Sequence, residues 1–494
     1  MRVFLALMWL FAALAPSTVL SQTTVTVGKY QGSSRCYRCH EEPSQFDMDS
    51  GVTRFIQLTE AKDWAKKDKH ARAFINVRDT RLGKQMCEIL GIEAHAAECA
   101  SCHSNPHWIN NQATGGAGID LTETIYKESG VTCESCHGAS TAWDLKHSTV
   151  DWRRELPAGK IALGMEDVRN PVARATMCFS CHIGDLAQNR VVTHEMYAAG
   201  HPPLPSIELE TFLEKMPGHW RTVEEKKQSD FQFKDKFFEV NGMSAGDYTR
   251  LKSVVLGAAV AYRTSLQLIS DQASSEKGRE TWPQLELFDC YACHHDLKIP
   301  SWRQARGNDV HGYKLRPGRP QMIYWPTTLL QLGVGRIEGD GSLAAVNGPL
   351  AQLGASLNQR PFGTPEAIAN AANAIISQLD LFIASLEQAS LKKDDAPLIL
   401  AQLCQLADSP TIDYESARQI GWAFTIILKQ YPPQNHADFA DPVERLEIQL
   451  KLNLPSGQER EIQDELPAAL KAASSYEPDA FRLIMKELAT LLGQ

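Results

Sequence analysis

Helical periodicity is strong in the last third of this chain and weak where most of its cysteines lie. From Thr364 onward, Ile368, Ala372, Ile375, Ile376, Leu379, Phe382, Ile383 and Leu386 recur at three- and four-residue intervals and predict one amphipathic helix. Thr364-Pro365-Glu366 supplies its start: an N-cap, a proline preset for the first turn, and an acid at the positive end of the helix dipole. Further helices are predicted over 397–407, 414–430 and 480–492, and Asp441-Pro442-Val443-Glu444 reads as another capped start. An earlier helix is predicted from 250 to about 271. Its most apolar stretch, SVVLGAAVAY, has ten residues between Lys252 and Arg263, too few to span a bilayer. From Gln22 to about Arg250 no comparable face emerges, so something other than helix packing must fill that part of the core.

The chain opens MRVFLALMWLFAALAPSTVLSQ, with Arg2 ahead of an apolar run from Val3 to Ala15. Val19-Leu20-Ser21 offers small residues for cleavage, so 1–21 reads as a signal peptide cut near Ser21/Gln22; the alternative is an uncleaved N-terminal anchor. The expectation is an exported, periplasmic protein with no membrane span in the mature chain. RPGRPQMIYWP, residues 316–326, is punctuated by proline and glycine and reads as a linker.

Composition then changes the picture. The 494 residues carry a net charge of -9 and no long basic run, which argues against nucleic acid as a partner. An acidic surface suits basic redox partner proteins, although donor and acceptor are not written in the sequence. Twelve cysteines in an exported chain first suggest disulfides. Their spacing points elsewhere. Ten fall in five C-x-x-C-H motifs: Cys36, Cys39, His40; Cys99, Cys102, His103; Cys133, Cys136, His137; Cys178, Cys181, His182; and Cys290, Cys293, His294. Chance alone would supply roughly 0.009 such motifs in a chain of this composition. Two thiols three residues apart each bond one vinyl group of a porphyrin, and the adjacent histidine reaches the iron from below. Zinc would need pairs of pairs and no histidine after each. The implied cofactors are five covalent haems c.

So little chain per haem makes the porphyrins much of the core. The expected architecture is mainly α, with little regular sheet: a pentahaem domain over 22–314, a linker over 315–340 and a helical bundle over 341–494. The bundle carries no catalytic signature, and a cover for the haem region and a docking module are both open readings.

Fifteen histidines, five of them proximal, leave ten for five distal positions. The candidates are His70 in a helix-like stretch, His147 ten residues after the third motif, His201, His219 and His311. His194 and His201 lie seven apart, about 10.5 Å along a helix, and cannot serve one iron from one side. Gly200 and Pro202 end that helix, which favours His201. His95, His107 and His436 read as surface or propionate-bonding residues, and Met196 and Met216 as core filling. His295 is tied to His294 and cannot reach the far face of the same haem; a hydrogen bond to a propionate or Asp296 is the plainer role. Cys87 and Cys404 are either a disulfide or two buried thiols.

GVTCESCHGAS (130–140), Trp64 with His70-Ala71, and AGHPPL (199–204) resemble the multihaem cytochrome c-554 family over roughly residues 30–220. The resemblance implies periplasmic electron transfer through stacked, mostly bis-histidine haems, with His70, His147 and His201 as distal ligands. Family members often carry four haems; the fifth motif and the helical tail depart from that pattern. The alternative is a haem enzyme in which one five-coordinate iron acts on a small nitrogen or sulfur oxide. A haem-based scaffold or sensor working through the tail is a third reading.

Overall fold

The computed structural model describes residues 28–42, 55–104, 130–229, 234–240, 250–294, 309–310, 313–332, 343–389, 391–409, 412–452 and 475–493. The expected signal peptide, His107, His295 and His311 lie outside them. Among the described residues the chain is mainly α-helical, and the sheet is a single pair of two-residue strands, Asp309–Val310 against Tyr313–Lys314.

The apolar core is built where the periodicity is strong. The helix Arg250–Ser274 lies along Pro365–Gln388, and the eight apolar positions of the second helix named above are all buried. Thr364 caps it, its hydroxyl accepting from the Ala367 N–H at 3.3 Å. Pro365–Gln388 is the one described helix long and apolar enough to cross a membrane. Its apolar stripe is taken up by core packing, and Asp380 on another face meets Arg263 at 2.5 Å. The helices Ala396–Ala407, Tyr414–Gln430, Ala440–Leu450 and Pro478–Leu491 complete the bundle, with Phe424, Phe439 and Phe481 fully buried between them. Each such side chain contributes roughly 1.5–3 kcal/mol by leaving water.

Two expectations need correction. Asp441 does not cap a helix start: a 3-10 turn, His436–Phe439, runs straight into Ala440–Leu450, so no free end is left to cap. Asp441 instead meets Arg445 at 2.9 Å. Cys87 and Cys404 are free thiols and do not pair: Cys404 is buried inside the helix Ala396–Ala407, while Cys87 hydrogen-bonds the thiol of Cys99.

The core continues across the expected linker. Leu315, Met322, Trp325, Leu329, Leu330 and Leu332 are buried in the same cluster as the bundle helices. It also reaches the fourth motif. In the helix Pro171–His182, Ala175 and Phe179 sit one turn apart and face the bundle core, both completely buried. Cys178, Cys181 and His182 are only half-buried and line the cavity described below. Polar ties hold the two regions together: Asn170 Nδ2 donates to Glu387 Oε1 at 3.2 Å, and Thr211 Oγ1 donates to the Trp422 carbonyl at 3.4 Å. The tail therefore shares its core with the helix that carries the fourth motif.

Candidate functional site

One continuous cavity of about 2970 Å³ runs through the N-terminal region, and all fifteen motif residues lie on its wall. No helix face fills this space, in keeping with the weak periodicity from Gln22 to Arg250.

Local chemistry explains why the motifs converge. Glu134, inside the third motif, is 2% exposed and its carboxylate accepts four hydrogen bonds. The Gln31 N–H donates to both oxygens at 3.0 Å, Gly32 N–H to Oε2 at 2.8 Å, and Ser140 N–H to Oε1 at 3.0 Å. Arg35 then reaches Asp144 at 2.7 Å. These bonds clamp the segment before the first motif onto the third, and the thiols of Cys36 and Cys133 hydrogen-bond each other. Replacing Glu134 with alanine strands three backbone donors in the interior, and the expected loss of stability is on the order of 3 kcal/mol. Denaturant unfolding of the haem-loaded protein, followed in the Soret band, measures it; an unchanged midpoint would sink the assignment.

Arg190 performs the corresponding task for the second and fourth motifs. It is 6% exposed. Its Nε donates to the Ser101 carbonyl at 3.2 Å, and its Nη1 donates to the Ser180 hydroxyl. Ser101 and Ser180 are the inner residues of CASCH and CFSCH, and Ser101 Oγ also donates to the Asn189 carbonyl at 2.7 Å. The thiols of Cys102 and Cys181 consequently meet. Cys136 of the third motif lies within electrostatic range of Cys178 and Cys181 of the fourth.

The histidines come together in pairs. His40 faces His147 with ring centres 6.0 Å apart, His182 faces His70 at 6.2 Å, and His103 faces His201 at 6.3 Å. His219 lies within electrostatic range of His137. Two imidazole nitrogens bound at about 2.0 Å on opposite sides of one metal ion put their ring centres about 6 Å apart. The spacing therefore leaves room for one iron between the rings of each of these three pairs.

Ring orientation is fixed from behind. His70 Nδ1 lies 2.9 Å from Asp68 Oδ1, and His40 Nδ1 lies 2.9 Å from Glu60 Oε2. The Nδ1 atoms of His103, His201 and His219 face the carbonyls of Ala73, Pro202 and Pro217 at 3.2, 2.7 and 3.4 Å. His147 Nδ1 faces the Asp144 carbonyl. With Nδ1–H donated backward, Nε2 keeps its lone pair for a metal. Burial pulls the pKa of His103, His137 and His182 down to about 4, which holds them neutral, the form that ligates. Burial also opposes charge on His40 and His70, but the carboxylates of Glu60 and Asp68 outweigh it and raise both.

The neighbourhood of His70 depends on a glycine. Val131 N–H donates to the His70 carbonyl at 2.9 Å, and Gly130 has φ +64°. A Cβ there would sit 2.4 Å from the His70 oxygen. His70 itself occupies a 3-10 turn, Lys69–Arg72, rather than an α-helix. His201 lies beyond the short helix His194–Ala198, which contains His194. His194 is half-buried on the cavity wall; His95 and His436 are exposed; Met196 is buried.

The polar lining suits porphyrin propionates. Lys160 and Lys226 flank Arg169, and burial together with the like charge of Arg169 lowers both to about 8. Lys226 Nζ lies over the rings of Phe55 and Phe237 at 5.3 and 5.1 Å. Arg169 pairs with Asp167 at 3.1 Å, and the two lysines beside it add positive charge to the cavity wall that would suit further carboxylates. The fifth motif differs from the rest: Cys290, Cys293 and His294 are all exposed.

What sequence reasoning missed is the scaffold that brings the motifs together. Glu134 and Arg190 carry no spacing signature of their own. Asp68, two residues before His70, was the one legible hint, because an acid beside a candidate ligand histidine is a common orienting partner.

Residues 35–138 match the family model for cytochrome c554 and c-prime, a segment that contains the first three motifs complete. No curated protein and no solved structure matches the chain. A c-type cytochrome segment brings covalently bound haem c and electron transfer as its chemistry.

Proposed function

We propose that this chain, cytochrome c-554-like over residues 35–138, is an exported electron carrier with five covalently bound haems. When bound, haem supplies a one-electron couple between ferric and ferrous iron. The chain's own residues attach, ligate and order the cofactors. Cys36 and Cys39, Cys99 and Cys102, Cys133 and Cys136, Cys178 and Cys181, and Cys290 and Cys293 are the attachment thiols. The histidines that would hold the irons in this reading are His40 with His147, His103 with His201, His137 with His219, and His182 with His70. His294 ligates the fifth iron, with His311 as its candidate partner.

The observation that carries this reading is the placement of all fifteen motif residues on one cavity, with three histidine pairs spaced 6.0 to 6.3 Å across it. The thiol contacts add an order. Cys36 meets Cys133, Cys136 lies near Cys178 and Cys181, and Cys181 meets Cys102. Electrons would pass along the first, third, fourth and second motifs in that sequence. Redox partner proteins, cleavage of residues 1–21 and periplasmic location belong to the same reading.

The test is haem stoichiometry by pyridine haemochrome, with low-temperature EPR on the oxidised protein. The expected result is five haems per chain, with low-spin signals from the four paired irons. Fewer than five overturns the count. A high-spin iron that shifts with nitrite, nitric oxide or hydroxylamine would move the protein to the enzyme reading, and the exposed fifth motif is where it would be sought.

A further inference from the structure

The thiol contacts order four motifs, and the fifth is joined to them by a different element. The short helix His194–Ala198 starts beside Glu286, just ahead of the fifth motif, and leads to His201, which faces His103 of the second. At its first residue, the His194 N–H donates to the carboxylate of Glu286, four residues before Cys290. Glu286 is itself held by Gln272, whose Nε2 donates to Oε1 at 3.2 Å. The segment that follows is tied down by the Asp289 N–H, which donates to the Gln321 carbonyl at 2.9 Å, and by Gln321 Nε2, which donates to Asp289 Oδ2 at 2.6 Å. Beyond the helix, Gly200 turns the chain with φ +115° and delivers His201 to face His103. Five helical residues rise only about 6 Å, so the Glu286 contact at the start of this helix and the turn that carries His201 at its end are separated by little more than one helical turn.

Tyr197 stands between them. Its ring centre is 6.0 Å from that of His201, inclined at 75°. Its hydroxyl accepts from the Leu204 N–H, and it lies within electrostatic range of Cys290 and Glu286. Tyr197, His201, Cys102 and Cys290 all line the one cavity.

Building on the five-haem reading above, we infer that the haem of the fifth motif is seated next to that of the second, with Tyr197 as the positioning residue between them. The fifth motif then extends the series past the second and forms its solvent-facing end. The exposure pattern agrees: the attachment cysteines that are exposed are Cys39 of the first motif and Cys290 and Cys293 of the fifth, while those of the second, third and fourth are half-buried. The ends of the order first, third, fourth, second, fifth are the two motifs that reach the surface.

The experiment uses the haem-loaded full chain, with each iron's EPR signal assigned from the variant that removes its distal histidine. A Cys290→Ala/Cys293→Ala variant should keep four haems. Loss of the fifth haem should narrow the redox titration of the second-motif iron and change its EPR line, and leave the first-motif iron unchanged. Tyr197→Ala should alter the signals of the second- and fifth-motif irons together, and Tyr197→Phe, which keeps the ring, should alter neither. A second-motif iron indifferent to the fifth haem overturns the inference, as does a change that falls on the first-motif iron instead. If Tyr197→Ala sheds a haem, the cysteine double variant decides alone. A wild-type count of four removes the five-haem reading itself and is told apart from these outcomes by the haemochrome assay.

Discussion

Replacing Cys133 and Cys136 together with alanine is expected to cost the protein much more than one haem. The third motif lies between the first and the fourth on the cavity wall. Cys133 touches Cys36 of the first motif, and Cys136 lies near both cysteines of the fourth. The clamp of Glu134 on Gln31 and Gly32 depends on the same turn of helix, Cys133–His137. Without a haem there, the space beside the third motif is left unfilled, and an unfilled cavity is destabilising in proportion to its volume. The expected result is a chain with fewer than four haems, rapidly cut by protease before residue 250. The Cys290→Ala/Cys293→Ala variant is the control: it removes an exposed end and should retain four haems and wild-type protease resistance. Haemochrome counts and limited proteolysis of the two variants measure the contrast. Equal behaviour would mean that the haems are independent and not the core.

His70→Ala should convert the fourth-motif iron from low-spin to high-spin. His182 then has no histidine facing it at 6.2 Å, and an iron bound there would have lost one of its two protein ligands. EPR reads the change directly, and a spectrum that stays low-spin would remove His70 from the ligand set. Asp68→Asn makes the finer version of the same test. Asp68 is buried and hydrogen-bonds His70 Nδ1 at 2.9 Å, which makes the imidazole a stronger donor and favours ferric iron. Asparagine keeps the shape and removes the charge, so the midpoint potential of this iron should rise. Each tenfold loss of preference for the ferric form raises a one-electron potential by about 59 mV. Glu60→Gln should do the same at the His40 iron, whose Nδ1 also faces a carboxylate, at 2.9 Å. The irons of the other two pairs, in which, among the described residues, His103, His201 and His219 face carbonyls and no carboxylate bond is made, should not move.

Legibility in the sequence followed the range of the interaction. The motifs were readable because thioether chemistry needs two cysteines and a histidine within five residues. The helix Pro365–Gln388 was readable because its cap and its buried stripe repeat locally, and every apolar position read from the pattern is buried. The Asp441 start failed for a local reason that the pattern does not encode: the preceding 3-10 turn had already supplied the hydrogen-bonding continuity that a cap would give. A Cys87–Cys404 disulfide was open on counting alone and closed by position, since Cys87 meets Cys99 on the cavity wall and Cys404 faces the bundle core.

By itself, then, the sequence determined the five C-x-x-C-H motifs, the mainly helical class and the weak helical periodicity of residues 22–250. Each of these is written in residue types a few positions apart. Only the tertiary structure decided which motif neighbours which, which histidine faces which, and that the tail shares its core with the fourth motif. Those outcomes rest on contacts such as Glu134 with Gln31 and Arg190 with Ser101, which span 103 and 89 residues. A buried carboxylate or guanidinium must find partners somewhere in the fold, but its own neighbours in the chain do not say where.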